Sequence, residues 1–188
     1  RVSKQIKSNE AATSVITIEN LKQEESLYKK ALKLIEKNNI EEAENILLEI
    51  INSGTKSPLP YINLSTLYIN TQREEKVSPL LKKGLKTIPN HPALYLHLGE
   101  FQLKNKKITS AIASFHTSIS LDPKNTSSHI ALGNAFFAQG ELDAALKSYE
   151  KAVQLEPNSS TFHMLIGNVF REKNEFEISL NAYRRSLE

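Results

Sequence analysis

Residues 126–158 read TSSHIALGNAFFAQGELDAALKSYEKAVQLEPN, and this stretch decides the fold. Ile130, Leu132, Phe136 and Phe137 recur at helical spacing, and so do Leu142, Ala145, Leu146, Tyr149 and Val153, which predicts two amphipathic helices. Gln139-Gly140-Glu141 separates them, and glycine is suited to the left-handed conformation that ends a helix. Pro157 lacks an amide hydrogen and pushes Glu156 towards an extended backbone, so the second helix stops there. Asn158, Ser159 and Ser160 supply cap residues for a following helix.

The stretch repeats. Gly99, Gly133 and Gly167 sit in the matching phrases LHLGEFQ, IALGNAF and MLIGNVF, and Pro89, Pro123 and Pro157 recur at the same 34-residue interval in TIPN, LDPK and LEPN. Ala111 with Ala145 and Phe115 with Tyr149 keep the register, and projection backwards reaches Ser65 and Ala31. The repeat windows are 24–57, 58–91, 92–125, 126–159 and a truncated 160–188. Residues 1–23 form a lead-in, with Thr17 or Asn20 expected near the start of the first helix. Gly133 and Ala145 are expected where paired helices cross. In the second window Pro79 interrupts the second helix, which is therefore expected to start late, with Ser78 as its cap, and to be the least regular of the set.

This pattern resembles the tetratricopeptide repeat (TPR) family over residues 24–188, with His129 and His163 where the family often has Trp. The resemblance implies an all-α, right-handed superhelix of helix-turn-helix hairpins whose inner groove is lined by the first helix of each repeat. Carried over residue by residue, one groove row is Tyr28, Ile62, Leu96, Ile130 and Met164, and a second is Ile35, Ile69, Leu103, Phe137 and Arg171. Between them lie Lys29, Asn63, His97, Ala131 and Leu165, then Leu32, Thr66, Glu100, Asn134 and Asn168. The implied function is a scaffold that holds a peptide or helix of a partner protein in this groove, with Asn63, Asn134 and Asn168 meeting its backbone. Packing of the same residues against neighbouring repeats is the plainer reading. The alternative function is the substrate-docking region of a larger enzyme such as a glycosyltransferase.

Two specialised versions of the family do not fit. A clamp for a C-terminal carboxylate would need a leading Lys where Tyr28, Ile62, Leu96, Ile130 and Met164 stand. The asparagine ladder of the O-linked GlcNAc transferases would need Asn at Lys29, Asn63, His97, Ala131 and Leu165, and Asn63 alone conforms.

Composition excludes other classes. With 39% hydrophobic and 24% charged residues the chain is expected to fold, and no apolar run reaches the ~18 residues of a membrane span. No cysteine is present, which removes thiol chemistry and suits a reducing, cytoplasmic setting. The middle third is basic, with nine Lys or Arg against four Asp or Glu in residues 58–125. Lys82, Lys83 and Lys86 fall on one helix and Lys104, Lys106 and Lys107 at the next turn, which does not make a continuous nucleic-acid stripe. The histidines His91, His97, His116, His129 and His163 form no i, i+4 metal pair, no catalytic constellation is identifiable, and no cofactor is expected. Arg1 opens the chain and Glu188 falls in a helical pattern, so a piece of a longer protein is expected. Ile178, Leu180, Tyr183 and Leu187 should leave an apolar C-terminal edge open to missing chain or to another copy.

Overall fold

The computed structural model describes the backbone of residues 2–157 and 159–187, and side chains from residue 19 onward. Among the described residues the secondary structure is helical, with ten α-helices joined by short turns. They are α1 Val2–Glu36, α2 Ile40–Asn52, α3 Leu59–Asn70, α4 Val77–Thr87, α5 Pro92–Lys104, α6 Ile108–Leu121, α7 Thr126–Gln139, α8 Leu142–Leu155, α9 Ser160–Glu172 and α10 Phe176–Arg185. The chain divides into two units, Arg1–Ile88 with α1 to α4 and Pro89–Glu188 with α5 to α10.

The turn inside each hairpin has one design. Asn38, Gln72, Lys106, Gly140 and Asn174, all 34 residues apart, take positive φ values between 57° and 84°. The next residue's amide then bonds back to a carbonyl five positions earlier, as in Glu141 N to Phe136 O at 2.9 Å. This satisfies helix-end carbonyls in the Schellman manner. Gly140, Asn38 and Asn174 are residue types that favour this conformation, whereas Gln72 and Lys106 are not.

Between hairpins, Ile88, Asp122 and Glu156 precede the periodic prolines, and each adopts φ between −128° and −139° with ψ between 74° and 88°. Proline disfavours helical backbone at the preceding residue, and the chain turns out of α4, α6 and α8 at the same place. Asn125 caps α7 by accepting from Ser128 N at 3.0 Å. Ser159 is the cap residue of α9 but makes no side-chain cap bond; Asn158 lies outside the described residues.

Two expectations are corrected. The first helix begins at Val2, not near Thr17 or Asn20; the first 36 residues contain no Gly or Pro, so nothing breaks it. The cap of α4 is Lys76 rather than Ser78, because a 3-10 turn over Glu74–Lys76 leads into the helix. Pro79 is then the third residue, where its missing amide hydrogen costs no intrahelical bond.

Gly133 lies directly against a ring of the partner helix. A Cβ built on it would lie 2.6 Å from Cδ1 of Tyr149, and the equivalent distances are 2.7 Å for Gly99 to Phe115 and 2.6 Å for Gly167 to Tyr183. Each hairpin of the second unit is closed by a ring lying on a glycine. Ala145, four residues before Tyr149, is fully buried in a cluster with Tyr149 and Val169. Gly133→Ala is therefore expected to lose up to about 2 kcal/mol, because overpacking of about 1–3 kcal/mol outweighs the gain of about 1 kcal/mol that alanine brings to an ordinary helix site. A chemical denaturation midpoint above that of the parent would contradict this close approach.

Candidate functional site

In the first unit, Asn63 Nδ2 donates to Tyr28 Oη at 2.6 Å, joining two groove positions on α1 and α3. Burial raises the Tyr28 pKa, with the Asn63 bond opposing it. Leu32, Ile35, Asn63 and Thr66 line one small cavity of about 170 Å³ together with Ile40, Leu67, Asn70 and Thr71. Four of the expected groove residues thus converge here, with Tyr28, Ile62 and Ile69 not among its lining. Ile62 is half-buried, and its carbonyl accepts from Ser65 Oγ at 2.8 Å and Thr66 Oγ1 at 3.0 Å.

In the second unit the rows separate into packing and presenting residues. Leu96 and Leu103 pack on the cluster of Ala111, Phe115, Ala131, Leu132 and Ala135. Ile130 and Phe137 pack on the cluster of Ala145, Tyr149 and Val169. Their apolar character is thus largely spent between repeats. Met164 is 44% exposed, and the Arg171 guanidinium, at 3.4 Å from Glu172, is open to solvent. His97 Nδ1 lies 3.2 Å from Glu100, and its Nε2 is buried without a hydrogen-bond partner.

Asn134 and Asn168 are held from below. Tyr149 Oη donates to Asn134 Oδ1 at 2.7 Å, and Tyr183 Oη donates to Asn168 Oδ1 at 2.8 Å. Sequence reading missed this support, although each Asn precedes its Tyr by 15 residues in adjacent repeats. Tyr183 accordingly lies half-buried on Gly167 and is not part of an open edge. The same arrangement cannot recur at Glu100 and Phe115, where the ring has no hydroxyl.

Desolvation pushes the Tyr149 phenol up to about 12, against an ordinary value of ~10. An acid whose pKa rises on folding favours the protonated folded form. The benefit is complete below pH ~10 and disappears as pH climbs through ~12, where the unfolded chain binds fewer protons. Thermal midpoints are expected to fall more steeply across that window for the parent than for Tyr149→Phe, with absorbance at ~295 nm reporting the ionisation. Parallel falls would refute the link.

His129, 8% exposed, places Nε2 3.0 Å from the Pro123 carbonyl, and so serves packing. Among the described residues no three His, Asp or Glu converge as a metal would require, and no helix is long and apolar enough to cross a membrane.

Comparison with known families bears on these hairpins directly. The TPR model for a tetratricopeptide repeat matches residues 92–125, and a second TPR repeat model matches residues 133–170. The chain is a tetratricopeptide repeat protein. No curated protein matches the sequence. Among solved structures, this TPR protein is similar to MamA from Desulfovibrio magneticus RS-1, at 20% identity and TM-score 0.73, covering 87% of this chain and 93% of that one. PilF of Pseudomonas aeruginosa is similar at 14% identity and TM-score 0.76, covering 87% and 75%. YrrB, described as a TPR protein with an unusual peptide-binding site, gives 17% identity and TM-score 0.66, covering 86% and 83%. These are likenesses of fold, and they agree with the all-α tandem-hairpin class.

Proposed function

We propose that this TPR protein is an interaction scaffold that binds a peptide or helical segment of a partner protein on the face formed by the first helices of the hairpins in its second unit. The observation that carries the reading is the pair Asn134 and Asn168. Each amide oxygen is occupied by a tyrosine hydroxyl, while among the described residues neither Nδ2 meets a protein acceptor. Locked donors at equivalent places in successive repeats suit backbone carbonyls of a bound chain. The exposed Met164 lies on the same helix as Asn168 and adds apolar surface. The peptide-binding site ascribed to YrrB is consistent with such a role for the fold.

The test keeps the tyrosine bonds and removes the donors. In Asn134→Asp with Asn168→Asp, the carboxylates still accept from Tyr149 and Tyr183 but offer no hydrogen. Binding to an immobilised library of random-sequence peptides is expected to fall about tenfold or more, from two hydrogen bonds worth about 1 kcal/mol each. The thermal midpoint should change little. Library binding equal to the parent's would end the proposal.

A further inference from the structure

The two ends of the hairpin series are built differently. Leu64, Leu98, Leu132 and Ile166 share one position of the 34-residue period, and Leu67, Phe101, Ala135 and Val169 share another. All eight are buried or half-buried. Leu132 and Ala135 make their contacts with Ala111 and Phe115 of the preceding hairpin. In the first hairpin the same two positions hold Lys30 and Lys33, both exposed, with Lys30 Nζ 3.1 Å from Glu42. Ammonium groups resist burial, so this face of α1 is made to stay in water, as a terminal repeat requires.

The opposite face, on α10, shows the reverse. Ile108, Ile112 and Ile119 of α6 pack on the cluster that contains Leu132 of the following hairpin, and Leu142 and Leu146 of α8 pack with Leu165 and Ile166 of α9. One period on, Phe176 and Leu180 match the first two of these positions, and Leu187, just past α10, matches Ile119. They are 62%, 50% and 88% exposed. These are three side chains of a packing face with no cover among the described residues.

We propose that this face is covered by the same face of a second copy, the two α10 helices lying antiparallel about a two-fold axis. The charges on α10 select that partner. Glu177 lies in its first turn and Arg184 in its last, both by helical spacing on one flank of the Phe176, Leu180 and Leu187 stripe, so an antiparallel pair sets Glu177 of each copy beside Arg184 of the other, with opposed helix dipoles. Stacking on the α1 face of another copy would instead set Lys30 and Lys33 against Arg184, a like-charge arrangement.

Sedimentation velocity over a concentration series tests this. The mass is expected to rise from the chain value of 21.2 kDa and level off at twice it. Leu180→Glu, at an exposed site, should abolish the rise while leaving the melting curve unchanged at concentrations too low for the parent to pair. Arg184→Glu should weaken dimerisation about tenfold or more, and adding Glu177→Arg should restore it. A chain that stays monomeric, a mass that climbs past the dimer, or a dimer indifferent to Leu180→Glu would each overturn the proposal.

Discussion

Tyr149→Ala is expected to lose about 3–5 kcal/mol of unfolding free energy. The ring is 2% exposed, packs with Ala145 and Val169, and covers Gly133. Because glycine has no side chain to swing into the vacated space, the cavity cannot close by a local rotamer change. Tyr149→Phe separates the ring from its hydroxyl: it keeps the packing and removes only the bond to Asn134, at about 0.5–1.5 kcal/mol. Urea denaturation followed by circular dichroism measures both. If alanine costs no more than phenylalanine, the ring does not close the hairpin.

Leu132→Ala is expected to cost about 2–5 kcal/mol, towards the upper end. Leu132 is 6% exposed, and its buried neighbours include Ala111, Ala131 and Ala135. Short side chains cannot reach into the hole left by a leucine, so relaxation recovers little. The effect should also be directional. In a repeat array each hairpin is stabilised by its neighbours, and Leu132 sits where α6 meets α7. Hydrogen exchange of α5 and α6 amides should therefore accelerate more than a uniform loss would give. Unchanged exchange there, or a denaturation curve superimposed on the parent's, would place Leu132 outside this contact.

Both effects concern the part of the molecule that was legible in advance. Gly99, Gly133, Gly167 and the periodic prolines mark hairpin centres and ends because backbone conformation is local: a proline restricts its predecessor wherever it stands. Turn positions filled by Gln72 or Lys106 were not legible, since neither residue favours positive φ by itself, and the turn is imposed by the helices on either side. The start of α1 at Val2 was missed for a related reason. Helix continuation there rests on the absence of breakers, which leaves no mark to read.

The candidate site was legible only as a list of positions. Family resemblance assigned Ile130, Phe137, Asn134 and Asn168 to one face, but could not say which are consumed by packing. That division depends on contacts between residues apart in the chain: Ile130 on the cluster of Ala145, Tyr149 and Val169, or Tyr149 reaching Asn134.

The amino-acid sequence by itself determined the helical class, the 34-residue period and the places where helices end, because these follow from local propensity and spacing. Only the tertiary structure decided that rings close on glycines, that tyrosine hydroxyls lock the two asparagine amides, and that Lys30 and Lys33 occupy packing positions left charged. The physical reason is that burial and hydrogen-bond partnership belong to pairs of residues brought together by stacking, and no single stretch of chain contains both members.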